Sequence, residues 1–195
     1  MKKIVFYGDS NTYGYDPRGF FEMRYPKECR WTSIVTNHFA GEYEIREEGQ
    51  NGRCLPDVDR EENFLHNLTK DLQKEDALVV MLGTNDILLT SHPDFKAAIE
   101  RMHKLLKWLK KNALLSRVIV IGPVPISDTP EELRIYHEAS IRMNEGFSQV
   151  CKSCEVEFYD ATTWNIPLAY DGVHFSEEGC IRFAEKMIEV LENKD

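Results

Sequence analysis

The sequence predicts an α/β fold: a three-layer α/β/α sandwich with helices on both faces of a five-stranded parallel sheet. Three observations carry that expectation. Strand-like and helix-like segments alternate from end to end, the pattern of a parallel sheet with helical crossovers. The clearest strand, Ala77-Leu78-Val79-Val80-Met81-Leu82 closed by Gly83, is a continuous apolar run, as expected of a strand covered on both faces. No internal repeat, low-complexity tract or long linker interrupts the alternation. At 195 residues the chain fits one domain, residues 1–195.

Each element has its own signal. Residues 4–7 form a short apolar first strand, followed by a long loop rich in Gly, Pro and aromatic residues, then a helical run over 31–39. A second strand over 43–47 leads through Gly49-Gln50-Asn51-Gly52 to a polar helical stretch carrying Phe64, Leu65, Leu68 and Leu72. After the third strand, Phe95, Ala98, Ile99, Met102, Leu105, Leu106 and Leu109 recur every three or four residues, one apolar face of an amphipathic helix. Residues 118–121 are the fourth strand. Thr129-Pro130-Glu131-Glu132 reads as an N-cap, a proline at the first helical position and a capping-box glutamate, so a helix is predicted to start there and run toward Val150. A weaker fifth strand spans 156–159. The last helix follows Ser176, with Ile181, Ala184, Ile188 and Leu191 on one face and Glu177 and Glu178 complementing its N-terminal dipole.

Composition narrows the function classes. With 42% hydrophobic and 29% charged residues the chain is an ordinary globular sequence, which excludes disorder, collagen and a disulfide scaffold. Lys and Arg number 24 against 33 Asp and Glu, a net charge of −9, so nucleic acid and anionic membrane surfaces are poor partners. The apolar run at 4–7 is too short for a secretion signal, and no stretch approaches the roughly 18 apolar residues of a membrane span, so a cytoplasmic location is expected. The five cysteines are then reduced thiols. Cys151 and Cys154 form a C-x-x-C, but without a second pair at zinc spacing and after a helical segment they read as helix-end thiols. No metal site is expected.

Ligands of open parallel sheets bind beyond the carboxyl ends of the strands. That rule selects Gly8-Asp9-Ser10-Asn11 after strand one, Gly49 to Gly52 after strand two, Gly83-Thr84-Asn85-Asp86 after strand three and Asp171-Gly172-Val173-His174 before the final helix. Taken singly each has an ordinary explanation: Ser10, Asn85 and Asp9 as helix N-caps, Asp171-Gly172 as a turn, His174 as a loop residue. Together they supply what a serine nucleophile needs. A hydroxyl is weak near neutral pH and requires a base, and the base requires a group that fixes its tautomer. Asp171 and His174 share one turn, leaving Nε2 free for Ser10. Oxyanion donors are available in the Ser10 and Gly52 backbone N–H groups and the Asn85 amide.

This constellation resembles the SGNH hydrolases, also called the GDSL esterase/lipase family, whose four letters fall here on Ser10, Gly52, Asn85 and His174 in the same order and over nearly the full chain. The resemblance implies a flavodoxin-like sandwich and ester hydrolysis through an acyl-serine intermediate, with Ser10, Asp171 and His174 catalytic, Ser10, Gly52 and Asn85 in the oxyanion hole, and no metal or organic cofactor. Two departures stand out. Asn11 replaces the leucine of the eponymous motif, and Cys54 stands where a threonine often follows the second block. The opening run from Gly8 to Pro17, with Arg24-Tyr25-Pro26 and Arg30-Trp31 beyond it, is similar to the arylesterase and acyltransferase branch, which implies short acyl esters and homo-oligomers.

Asp9, Asn11, Tyr13, Trp31, Pro125 and Trp164 are candidates for the substrate pocket, as are Tyr15, Phe20 and Phe21; aromatic residues in long loops also serve to pack those loops. Competing motifs are missing: there is no G-x-S-x-G, G-x-G-x-x-G, G-K-[ST] or H-E-x-x-H. The sequence therefore predicts an esterase for a small carboxylic ester. The same serine would serve an acyltransferase or thioesterase. A non-catalytic carbohydrate or small-molecule binding module on this scaffold would be expected to lose Ser10, Asp171 or His174, and all three are retained.

Overall fold

The computed structural model describes residues 1–19, 23–90 and 92–193. Along the chain run β1 (Lys2–Gly8), α1 (Ser10–Tyr13), α2 (Trp31–His38), β2 (Tyr43–Gly49), α3 (Val58–Thr69), β3 (Ala77–Met81), α4 (Thr84–Leu88), α5 (Phe95–Asn112), β4 (Arg117–Gly122), α6 (Arg134–Cys154), β5 (Glu157–Asp160) and α7 (Glu177–Glu192). The strands form one sheet in the order β2-β1-β3-β4-β5, with every neighbouring pair parallel. This is the predicted architecture.

Side chains of successive strand residues leave opposite faces of a sheet, and the two faces are covered by different helices. Val5, Tyr7, Leu78, Val80 and Val120 pack beneath α3, α5 and α6. Ile4, Phe6, Val79, Met81, Ile119 and Ile121 pack beneath α2 and α7. Every residue of β3 is buried, which is why its sequence is uniformly apolar. The edge strand β2, Tyr-Glu-Ile-Arg-Glu-Glu-Gly, has no fully buried residue, so it is held by backbone pairing with β1 and its apolar signal is correspondingly faint.

The chain leaves β1 for β2 on one side and returns to β3 on the other, so the strand order reverses at the carboxyl ends of β1 and β3. That reversal opens a crevice where loops from both sides meet. The residues following β1, β2 and β3 therefore share one rim.

Two sequence readings need correction in position. The helix expected to begin at Thr129-Pro130 begins at Arg134, after a 3-10 turn over Glu131–Leu133. Thr129 caps nothing: its hydroxyl pairs with that of Ser127 at 3.2 Å. The segment is drawn instead toward the loop before α7, where the Ser127 N–H donates to the Gly172 carbonyl at 2.8 Å. The fifth strand lies one residue further along than expected, at Glu157–Asp160. Cys151 and Cys154 are both buried on the last turn of α6, as helix-end thiols.

Candidate active site

The carboxyl end of β1 turns straight into α1. Asp9 caps that helix, its carboxylate accepting from the Asn11 N–H at 2.9 Å. Ser10 is thus relieved of the capping role and is the first helical residue, its hydroxyl free to point elsewhere. Gly8 makes the turn possible by its lack of a side chain, since a Cβ there would lie 2.0 Å from Thr12 Oγ1.

The hydroxyl meets His174, 164 residues away in sequence, at 3.0 Å between Oγ and Nε2. On the other side of the ring, Nδ1 lies 2.6 Å from Asp171 Oδ2. The second carboxylate oxygen, Oδ1, accepts from the N–H groups of Val173 and His174, each at 3.0 Å. Asp171 therefore builds the turn that carries His174 and also orients its ring. Gly172 supplies the left-handed φ of +70° within that turn. Burial pushes the Asp171 carboxyl up, but the hydrogen bonds from the His174 ring and from the two backbone N–H groups outweigh it and hold the group below the usual carboxylate range.

The long loop after α1 fastens this turn in place. Tyr25 donates its hydroxyl to the Phe175 carbonyl at 3.1 Å, and Tyr170 donates to the Pro17 carbonyl at 2.5 Å. Arg18 pairs with Asp16 at 2.9 Å and with Glu177 at 2.7 Å, linking the loop to the first turn of α7. The Tyr15 ring lies 4.5 Å from the His174 ring, centroid to centroid.

The oxyanion candidates occupy adjacent strand ends. Asn85 lies in the first turn of α4, whose cap is Gly83, so its amide is spared for another use. One amide hydrogen goes to the Arg53 carbonyl at 3.1 Å; the second donor of that nitrogen remains to be used. Gly52 is exposed with φ of +73°, and a Cβ there would meet no protein atom, so it is the backbone angle that calls for glycine. Ser10 supplies a first-turn N–H, which has no acceptor within its own helix.

Arg53, which sequence reasoning missed, ties these pieces together. Its carbonyl takes the Asn85 amide, and its guanidinium donates to the Gly8 carbonyl at 2.9 Å, to the Glu48 carbonyl and to Gln50 Oε1 at 3.0 Å. The guanidinium also sits over the Tyr7 ring at 4.9 Å. The available signal was a cation placed directly after Gly52 in an acidic chain. Asp86 is a second missed brace. It is buried, accepts from the Leu55 N–H at 2.9 Å and pairs with Arg101 at 3.0 Å, fixing α4 against the Gly52 loop.

Asp9 and Cys54 are perturbed by burial. Burial pushes the Asp9 carboxyl up to about 6, against the opposing pull of the Asn11 N–H and the His174 ring. Burial also pushes the Cys54 thiol up to about 11, so it stays protonated near neutral pH.

The pocket candidates separate. Trp31 is 2% exposed, packs edge-on to Phe183 and donates its indole N–H to the Asn11 carbonyl at 2.9 Å, so it is a core residue. Trp164 also packs on Phe183, with ring centroids 5.3 Å apart. The Tyr13 ring lies beneath the Arg24 guanidinium at 4.1 Å, and Asn11 is buried with its amide engaged by backbone groups. Pro125 is half-buried in the loop after β4, two residues before the Ser127 that bonds Gly172. Phe20 and Phe21 lie outside the described residues. Tyr15 is the aromatic residue that the fold brings against His174. A 260 Å³ cavity beside the rim is lined by Gln50, Arg53, Cys54, Leu55, Glu61 and Phe64. A larger one of 510 Å³ opens at the opposite, amino ends of the strands, among Lys2, Lys3, Ala77 and Arg117, and takes no part in this arrangement.

Comparison with known proteins places this geometry in context. The family model of the GDSL-like lipase/acylhydrolases matches residues 6–180. A search of curated proteins found no match. Among solved structures, the chain is similar to a carbohydrate acetylesterase from Sinorhizobium meliloti, with 22% identity, TM-score 0.79 and 98% of each chain covered. The M. smegmatis aryl esterase aligns at 21% identity and TM-score 0.77, again over 98% of each chain. A lipase/acylhydrolase from Enterococcus faecalis aligns at 19% identity and TM-score 0.74, over 98% of this chain and 95% of the other. At these identities the structural likeness speaks to the fold.

Proposed function

The chain belongs to the GDSL-like lipase/acylhydrolase family and is a carboxylic ester hydrolase, and from that premise we propose that it is a serine esterase for small, uncharged, short-acyl esters. The observation that carries the proposal is the continuous chain Asp171 Oδ2, His174 Nδ1, His174 Nε2, Ser10 Oγ, with contacts of 2.6 and 3.0 Å. Ser10 attacks the ester carbonyl and its proton passes to His174 Nε2. Asp171, held ionised by its three N–H donors, keeps the imidazole in the tautomer that accepts at Nε2 and stabilises the cation that forms. The alkoxide developing on the carbonyl oxygen is met by the Ser10 and Gly52 N–H groups and the Asn85 amide. Collapse breaks the bond to the alcohol, which leaves with the proton from His174. Water, deprotonated by the same ring, then attacks the acyl-serine and releases the acid, returning the proton to Ser10.

Substrate charge follows from the arginines. Arg53 is spent on carbonyls and Gln50, Arg18 on Asp16 and Glu177, Arg101 on Asp86, and Arg24 on Glu47 and the Tyr13 carbonyl. A carboxylate or phosphate on the substrate would approach an acidic chain of net charge −9 in which these four arginines already have partners. The partner is thus a neutral small molecule. The reading carries with it a cytoplasmic location and assembly into homo-oligomers.

The test is a fluorophosphonate probe with peptide mapping, run beside a panel of p-nitrophenyl esters of graded acyl length. Labelling of Ser10 and a preference for the shortest acyl groups support the reading. Labelling at another residue, or hydrolysis by Ser10→Ala at the wild-type rate, overturns it. Alcohols and thioesters added as competitors separate hydrolysis from acyl transfer and thioester cleavage.

A further inference from the structure

The turn that carries His174 is contacted from outside by Asn11 as well as held from within by Asp171. Asn11, the residue after the nucleophile, is 8% exposed, and its side-chain amide reaches across to the histidine turn. Its Nδ2 donates to the Val173 carbonyl at 3.3 Å, and its Oδ1 accepts from the Phe175 N–H at 2.9 Å. The two partners are the residues immediately before and after His174. One planar side chain therefore brackets the backbone of the base on both sides. Asn11 is itself held firmly: its N–H bonds the Asp9 carboxylate at 2.9 Å and its carbonyl accepts the Trp31 indole N–H at 2.9 Å.

We propose that Asn11 is a positioning residue that sets the distance between Ser10 and His174. This rests on the esterase reading given above. The lever is short. Asn11 is one peptide from Ser10 and its amide touches the peptides on either side of His174, so only one side chain intervenes between the two reacting groups through this route. Asp171 fixes the rotation of the ring through Nδ1 but sits in the same turn as His174, and so does not tie that turn to the nucleophile. The Tyr25 and Tyr170 bonds do join the turn to the first loop, but to its distant part. A leucine at position 11 has similar bulk and makes neither hydrogen bond. The Val173 carbonyl and Phe175 N–H would then be left without the partners they have here, and the turn would be free to shift. Misplacing a reacting group by about 1 Å costs about 10²-fold in rate.

The experiment compares wild type, Asn11→Leu and Asn11→Asp in steady-state hydrolysis of p-nitrophenyl acetate, in the rate of fluorophosphonate labelling, and in the nitrogen NMR resonance of His174 Nε2, the atom that faces Ser10. In Asn11→Leu we expect kcat and labelling rate to fall by about 10²-fold with KM nearly unchanged, and the Nε2 resonance to shift or broaden. Asn11→Asp retains the acceptor for Phe175 and loses the donor to Val173, so it should fall between the two, and it stands in should the leucine variant fail to fold. A loss of stability with unchanged kcat per folded molecule and an unmoved Nε2 resonance would overturn the proposal. The resonance is read without substrate. A wild-type protein that hydrolyses no ester would thus refute the esterase reading, while the bracket would stand or fall on the resonance alone.

Discussion

A hydroxyl, an imidazole and a carboxylate in line amount to chemistry only when each is relieved of other duties, and the residues around Ser10 do this. Asp9 takes the capping role at α1 and Gly83 occupies the N-cap position of α4, so the Ser10 hydroxyl is available to His174 and the Asn85 amide to the Arg53 carbonyl. We expect Asn85→Ala to lower kcat by about 10²–10³-fold, the loss of one oxyanion donor, with KM moving little; steady-state kinetics measures both. Asp9 gives an expectation about pH. Its carboxyl is raised from 3.8 to about 6 in the folded protein, so the native state holds this proton more tightly than the unfolded chain. Its contribution to stability is therefore greatest below about pH 4, declines as pH rises toward about 6, and is a penalty on the order of 3 kcal/mol above that window. Asn caps helices as well as Asp does. Asp9→Asn should accordingly remove this decline in denaturant titrations run from pH 4 to 7 without unfolding α1; an unchanged pH dependence would refute the buried-carboxyl argument.

At the scale of elements, the site depends on two very short helices and one braced turn. α1 and α4 span four and five residues, too few to show a helical period, and neither was legible as a helix. What was legible were the residues inside them, because their types are unusual directly after an apolar strand. The displaced start of α6 has a related cause. The local signals at Thr129 to Glu132 agree with a helix N-terminus, but the Ser127 backbone is recruited by Gly172, and tertiary pairing won over local propensity. Position 11 shows the same limit. Its chemistry is plain from the sequence, but that it spans a gap to Val173 and Phe175 depends on contacts over 160 residues away in the chain. The aromatic residues were ambiguous for a physical reason as well: Trp31 and Trp164 satisfy the packing of Phe183, and among the described candidates Tyr15 is the one whose ring meets the imidazole. Phe183 is fully buried and also contacts Phe175, the neighbour of His174, at 4.9 Å. We expect Phe183→Ala to cost about 3–5 kcal/mol in stability by chemical denaturation and to lower activity through the histidine turn. A cost under about 1 kcal/mol would mean the cluster repacks and is no support for the site.

For the whole molecule, the sheet order decides where function lies. With β1 paired between β2 and β3, the residues following three successive strands in the chain are brought to one rim, and the last loop delivers His174 to the same place. That placement was readable because β3 is buried on both faces and its apolar run is unmistakable, and because crossover connections leave few topologies for alternating strands and helices. The acidic net charge of −9 and the ion pairs of Arg18 and Arg101 are the basis of the proposed preference for uncharged esters. A p-nitrophenyl ester of a dicarboxylic half-acid should have a kcat/KM well below that of its uncharged counterpart, and the gap should narrow as salt screens the field. Equal rates at low salt would remove charge from the account of specificity.

The central claim is that Ser10 carries the acyl group. Rapid acid quenching during turnover of p-nitrophenyl acetate, followed by mass spectrometry of the digested protein, tests it directly. An acetyl adduct is expected on the peptide containing Ser10 and is expected to be absent from Ser10→Ala. Continuing hydrolysis with no adduct there, or an adduct on a different side chain that persists in Ser10→Ala, would contradict it.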